Sequence, residues 1–187
     1  IPAVPAPPTT ALPQQAAIVA RWSADAIPAQ ADNTALAAWT DSVGGLAAAQ
    51  ATTAAQPKYR TGGAGGKPYV LFSGAQYLDA GTSNAVASAC QSGNCTVLVV
   101  YRNAQASTYG YLFAASNVTG CALYHNGAKT GVFTGAGYPL PAASTSALTT
   151  LVYSGSRSGQ WGGRVYVNNS CVGQPGTPAP APVLAAA

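Results

Sequence analysis

The feature that binds this chain most tightly is the way its apolar residues are cut into short runs by Gly, Asn, Ser and Pro. A helical domain needs an i, i+3, i+4 apolar stripe sustained over several turns, and no such stripe persists here beyond two. The runs are instead rich in Val, Leu, Tyr and Thr, which suit a pleated, half-buried strand. Nine strands are predicted, at 17–22, 36–40, 68–73, 95–102, 110–115, 120–125, 130–134, 148–153 and 163–168. Asn126-Gly127 supplies the strongest hairpin turn, because both residues tolerate positive φ. In Arg164-Val165-Tyr166-Val167-Asn168, Val165 and Val167 share one face and Tyr166 takes the other. The Ala-rich stretches 24–38 and 46–55 favour helix, but Pro28, Asp32-Asn33 and Gly44-Gly45 interrupt them. A short helical turn is expected near 24–28 or 83–90.

The fold class that follows is all-β, a two-sheet antiparallel β-sandwich with extended Pro-rich terminal arms. The arms are residues 1–14 and 174–187, the latter alternating Pro and Ala in a way that favours polyproline II. The sandwich domain is expected over 15–173, and 187 residues suit one such domain.

Charge narrows the function classes. Only 6% of residues are charged while 48% are hydrophobic, against roughly 25% charged in an average soluble protein. No apolar run of about 18 residues is present to span a bilayer, so membrane insertion is not expected. The net charge of +4 is scattered, and its densest cluster, Lys58, Arg60 and Lys67, is too thin to track a phosphate backbone. Nucleic acid is therefore not an expected partner. The chain lacks Met and begins Ile1-Pro2-Ala3. A mature N-terminus left after removal of a leading segment, or a piece of a longer protein, is expected.

Four cysteines allow three pairings. Cys90–Cys95 with Cys121–Cys171 is the pairing expected in an oxidising compartment, set against four reduced, buried cysteines. A zinc site is disfavoured, since Cys-x4-Cys is a loose spacing and His125 is the only histidine. Sequons at Asn94, Asn117 and Asn168 offer N-glycosylation positions in a eukaryotic host.

Read in order, the first half carries Arg21-Trp22, Trp39-Thr40-Asp41-Ser42-Val43-Gly44, Ala49-Gln50, Pro57-Lys58-Tyr59 and Gly66-Lys67-Pro68-Tyr69-Val70-Leu71-Phe72-Ser73-Gly74. This order of motifs resembles the concanavalin A-like lectin/glucanase superfamily in its laminin-G-like jelly-roll branch. The resemblance covers about residues 17–173. By it, Thr96–Tyr101 is expected as the central core strand and Val165–Asn168 as the late strand that usually ends in Asn-Gly. Two departures stand out. Asn169 replaces that glycine, and Ser73 stands where many members have Asp. The superfamily spans lectins, glycan-binding modules, adhesion domains, glucanases and phage or cell-surface structural proteins, so the fold leaves function open.

The chemistry-bearing residues argue against an enzyme. Glycoside hydrolysis needs two carboxylates about 5–10 Å apart. This chain has no Glu, and its four acids, Asp25, Asp32, Asp41 and Asp79, do not alternate along any predicted strand. His125 reads as a solvated turn residue, and no Gly-x-Ser-x-Gly elbow is present. The run Gly62–Lys67 lacks the leading glycine and the trailing Ser or Thr of a phosphate loop, and reads as a flexible strand connection. Calcium needs several clustered oxygens. Asp41 is expected to bond turn amides of the Asp-Ser-Val-Gly loop, so neither metal nor cofactor is expected.

Sugar binding needs exposed aromatic faces and neutral polar groups rather than charge. Trp161, framed by glycines, leads that list, followed by Tyr109, Tyr111, Tyr124 and Asn126. Trp22 and Trp39 read as core. Two functions are consistent with these features. One is a non-catalytic structural or adhesive domain whose arms hold neighbouring subunits of a filament, coat or virion. The other is a carbohydrate-binding module of a secreted or cell-surface protein. Either places the chain outside the cell, on its surface, or on a phage virion.

Overall fold

The computed structural model describes residues 17–82, 84–92, 95–103, 109–114, 122–126, 129–133, 137–142, 148–155, 164–168 and 170–173. These are mostly strands in antiparallel sheets with little helix. The expected all-β class is what the described residues form. The chain separates into two compact units, Ile1–Ala80 and Gly81–Ala187. The arms, 1–14 and 174–187, lie outside the described residues.

In the first unit, β1 (Thr34–Ala35), β4 (Lys58–Arg60) and β5 (Tyr69–Leu71) form a three-stranded sheet in the order β1-β4-β5. A separate pair joins β2 (Ala38–Thr40) to β3 (Ala47–Ala49). Ile27, Leu36 and Tyr59 make the buried core, with Ala24, Trp39, Val70 and Leu78 packed against it. Trp22 and Trp39 are half-buried and brace one another's segments. Trp22 Nε1 donates to the Trp39 carbonyl at 2.9 Å, and Trp39 Nε1 donates to the Ser23 carbonyl at 3.2 Å.

The strand predicted over 17–22 does not form. Its backbone is tied instead by isolated bonds to the Asp41 loop: Arg21 N–H donates to Asp41 Oδ1 and Ser42 N–H to the Arg21 carbonyl. The Ala-rich stretches resolve into a 3-10 turn at Ala24–Ala26, strand β3 and a second 3-10 turn at Thr53–Ala55. The glycine run between β4 and β5 is an ordered loop around a 3-10 turn, Ala64–Gly66, rather than a slack connection. Gly63 N–H donates to the Lys67 carbonyl at 2.8 Å, and Gly65 and Gly66 take the positive φ that this path demands.

The second unit opens on α1 (Ala85–Ser92), close to where a helical turn was expected. Asn84 caps it, its Oδ1 accepting from Ala87 N–H at 2.9 Å. Two four-stranded antiparallel sheets follow. One has the order β10-β9-β8-β7, from β7 (Tyr109–Ala114), β8 (Ala122–Asn126), β9 (Lys129–Phe133) and β10 (Gly137–Ala142). The other has the order β13-β12-β11-β6, from β6 (Cys95–Tyr101), β11 (Thr149–Gly155), β12 (Arg164–Val167) and β13 (Ser170–Gly173). Thr96–Tyr101, expected at the centre of a sheet, is thus the end strand among the described residues, paired with β11 on one side. Strands β1, β3, β4, β10 and β13 were not predicted; most are too short or too rich in Ala, Gly or Pro to carry a period-2 signal.

One apolar cluster draws on both sheets. Leu123 from β8, Leu151 from β11 and Val165 and Val167 from β12 are buried, with Val97, Val99 and Tyr101 of β6 and Leu112 and Phe113 of β7 against them. Burying a leucine in this way stabilises by roughly 1.5–3 kcal/mol. The predicted alternation at Val165-Tyr166-Val167 holds: the valines are buried and Tyr166 is half-buried. The β8–β9 ladder closes on Asn126↔Lys129, so Asn126 ends a strand, and Gly127 of the predicted turn lies outside the described residues. The β12–β13 hairpin pairs Val167 with Ser170. Asn168 takes the left-handed conformation at φ 48°, one that Asn tolerates better than most residues, and its Oδ1 accepts from Thr150 N–H at 2.9 Å.

Candidate functional site

Four of the five residues expected to meet a sugar fall on one strand pair. The β7–β8 register sets Tyr109 opposite Asn126 and Tyr111 opposite Tyr124, two rungs apart on each strand. The fifth, Trp161, lies outside the described residues. Tyr111 stands on the end strand of its sheet and is 57% exposed. Tyr124 sits within β8, where the strand predicted over 120–125 has it, flanked by strands on both sides, and is only 8% exposed. Burial pushes its phenol pKa up, and the neighbouring Tyr111 adds to the effect. Of the two, Tyr111 alone offers an open ring face. A bulge between Tyr111 and Phe113 turns Leu112 and Phe113 toward the core cluster.

His125 is also a strand residue and not a turn residue. Its Nδ1 lies 3.0 Å from Asn103 Nδ2, and the ring is half-buried. Its Nε2 comes within 2.6 Å of where a Cβ would stand on Gly110, the residue opposite. Only glycine leaves room for the imidazole there. The ring is held as a strand-packing element.

The carboxylates are engaged separately. Asp41 is 3% exposed, and its carboxylate accepts amide N–H bonds from Val43 at 2.8 Å, Gly44 at 2.9 Å, Leu46 and Arg21. Burial opposes its charge, yet the amide donors of Gly44, Val43, Leu46 and Arg21 outweigh it and hold the carboxyl below its ordinary value of 3.8. The expected bonding of turn amides is thus observed. Asp32 accepts from Thr61 N–H at 2.8 Å and pairs with Arg60 at 3.0 Å; these bonds, Thr61 first, lower its pKa. Asp25 lies 3.6 Å from Lys67 on the surface. Two of the three residues in the basic cluster are therefore matched with acids. Among the described residues no group of three or more His, Cys, Asp or Glu is placed to hold a metal ion. No helix among them is long and apolar enough to cross a membrane.

Cys90 and Cys95 are both described, and no disulfide joins them. Cys121, Asn94 and Asn117 lie outside the described residues, and Cys171 is placed only as a position on β13. Asn168 is exposed at its hairpin.

Sequence reasoning missed two features. The first is a buried amide pair, Gln50 and Gln56, in which Gln56 Nε2 donates to the Gln50 carbonyl at 2.8 Å and Gln50 Oε1 accepts from Thr52 N–H. The second is the open side of β6, where Leu98 is 62% and Val100 53% exposed while Val97 and Val99 are half-buried. The signal for the second was present. Val97-Leu98-Val99-Val100 is apolar at both parities, as in strands covered on both faces.

No protein-family model, no curated protein and no solved structure matches this chain.

Proposed function

We propose that this chain is a non-catalytic structural or adhesive domain of an extracellular or particle-surface assembly, with a concanavalin A-like two-sheet jelly roll as its scaffold. The apolar cluster shared by the two four-stranded sheets supports a sandwich. The observation that carries the assembly reading is the open apolar side of β6. Leu98 and Val100 stand exposed beside their cross-strand neighbours Val152 and Thr150, and no residue of the strand is charged. A strand apolar on both faces is built to be covered on both. Neighbouring subunits of a filament, coat or virion suit that surface, and the segments 1–14 and 174–187 would clasp them as semi-rigid arms.

Sedimentation velocity on the chain and on a Leu98→Lys/Val100→Lys variant tests this. Self-association is expected for the former and a monomer for the latter. A chain that stays monomeric at every accessible concentration overturns the reading.

One observation favours a carbohydrate-binding module instead: Tyr111 is an exposed aromatic residue opposite Tyr124. Glycan-array binding that is abolished by Tyr111→Ala and untouched by the β6 variant would support that alternative.

A further inference from the structure

The second unit passes from helix to sheet between two cysteines. Cys90 lies in the last turn of α1 and is 7% exposed. Cys95 is the first residue of β6, half-buried and packed against the cluster that holds Leu123 and Leu151. The Cys95 side chain lies within hydrogen-bond reach of Cys90, and no disulfide joins the two. The only helix among the described residues and the end strand of a sheet are thus joined at two adjacent sulfurs, one anchored at each element.

We propose that Cys90 and Cys95 are a reversible redox-modification site, closing a disulfide that staples the end of α1 to the start of β6. The oxidant is a low-molecular-weight disulfide such as oxidised glutathione. Cys95, the more exposed of the two, gives up its proton as it meets the oxidant. Its thiolate attacks one sulfur of the oxidant, forming a mixed disulfide and expelling one thiolate, which takes up a proton. Cys90 then loses its proton and attacks the Cys95 sulfur, and the second small thiolate leaves. Two protein thiols and one small disulfide become one protein disulfide and two small thiols, with no electrons unaccounted for.

The order of events agrees with the local electrostatics. The hydrogen bond to Cys95, burial and the Cys95 charge together push the Cys90 thiol above its usual range. Forming the mixed disulfide removes the Cys95 charge and so favours ionisation of Cys90 at the moment it is needed.

The test equilibrates the intact chain with oxidised and reduced glutathione over a range of ratios, quenches with acid, alkylates and digests with trypsin. Cleavage after Arg60 and Arg102 releases both cysteines in one peptide, because Pro68 protects the Lys67 bond. The expected peptide carries two alkyl groups in reducing mixtures. In oxidising mixtures it carries none and has lost two hydrogens. Cys95→Ser should leave Cys90 alkylated throughout. Two alkyl groups in every mixture, glutathione retained on Cys95 without closure, or a crosslink to the peptides of Cys121 or Cys171 would each overturn the proposal. The readout is independent of self-association, so it stands or falls apart from the assembly reading.

Discussion

At the scale of single residues, Asp41 and Gly110 each hold a local arrangement in place. Asp41 accepts from four amides, those of Val43, Gly44 and Leu46 in its own loop and that of Arg21. Asp41→Ala should therefore destabilise by about 3 kcal/mol or more, measured by urea unfolding. The pH dependence has a definite sign. Its folded pKa lies below the ordinary 3.8, so its contribution is complete above that value and is lost as pH falls through the folded value. The unfolding midpoint should drop in acid for the native chain. Asp41→Asn should start lower and lose less, because it has no such proton to take up. Gly110 answers to sterics. A methyl there meets His125 Nε2 at 2.6 Å, so Gly110→Ala should cost about 1–3 kcal/mol by moving the ring off Asn103. Adding His125→Ala should recover part of that loss in a double-mutant cycle.

At the scale of elements, β11 and β6 show how one strand pair can have unequal faces. Leu151 is fully buried in the apolar cluster, while Leu98 on the neighbouring strand is 62% exposed. Leu151→Ala should cost about 2–5 kcal/mol in thermal or chemical unfolding. Leu98→Ala should leave the stability of the isolated chain within about 0.5 kcal/mol. The element reading from sequence worked where alternation or an apolar run was long enough, as over 95–101, 149–153 and 164–167. It failed at 17–22, whose apolar residues look like a strand but whose backbone bonds go to the Asp41 loop. It also failed at Gly137–Ala142, because Pro139 and Pro141 mask a strand that pairs with β9 across an irregular register.

At the scale of the whole molecule, eight basic and four acidic residues leave little for long-range electrostatics to act on. Any association through β6 is apolar and should be nearly indifferent to simple salt. Raising ionic strength from about 0.01 to 1 M shortens the Debye length from about 30 to 3 Å, yet the sedimentation profile should hardly change. Sulfate, which strengthens apolar burial, should shift it toward larger species. A profile that collapses to monomer in simple salt would point to charge as the adhesive force instead.

The all-β class, the acid-poor composition and the aromatic and cysteine inventory were determined by the sequence alone, because residue type and period-2 patterning act locally along the chain. Which strand ends a sheet and which tyrosine is left exposed were decided only by tertiary structure. Tyr111 and Tyr124 are the same residue type on paired strands, and β7 at the sheet end leaves one ring open while interior β8 buries the other. Exposure depends on neighbours distant in sequence, and no local pattern encodes those neighbours.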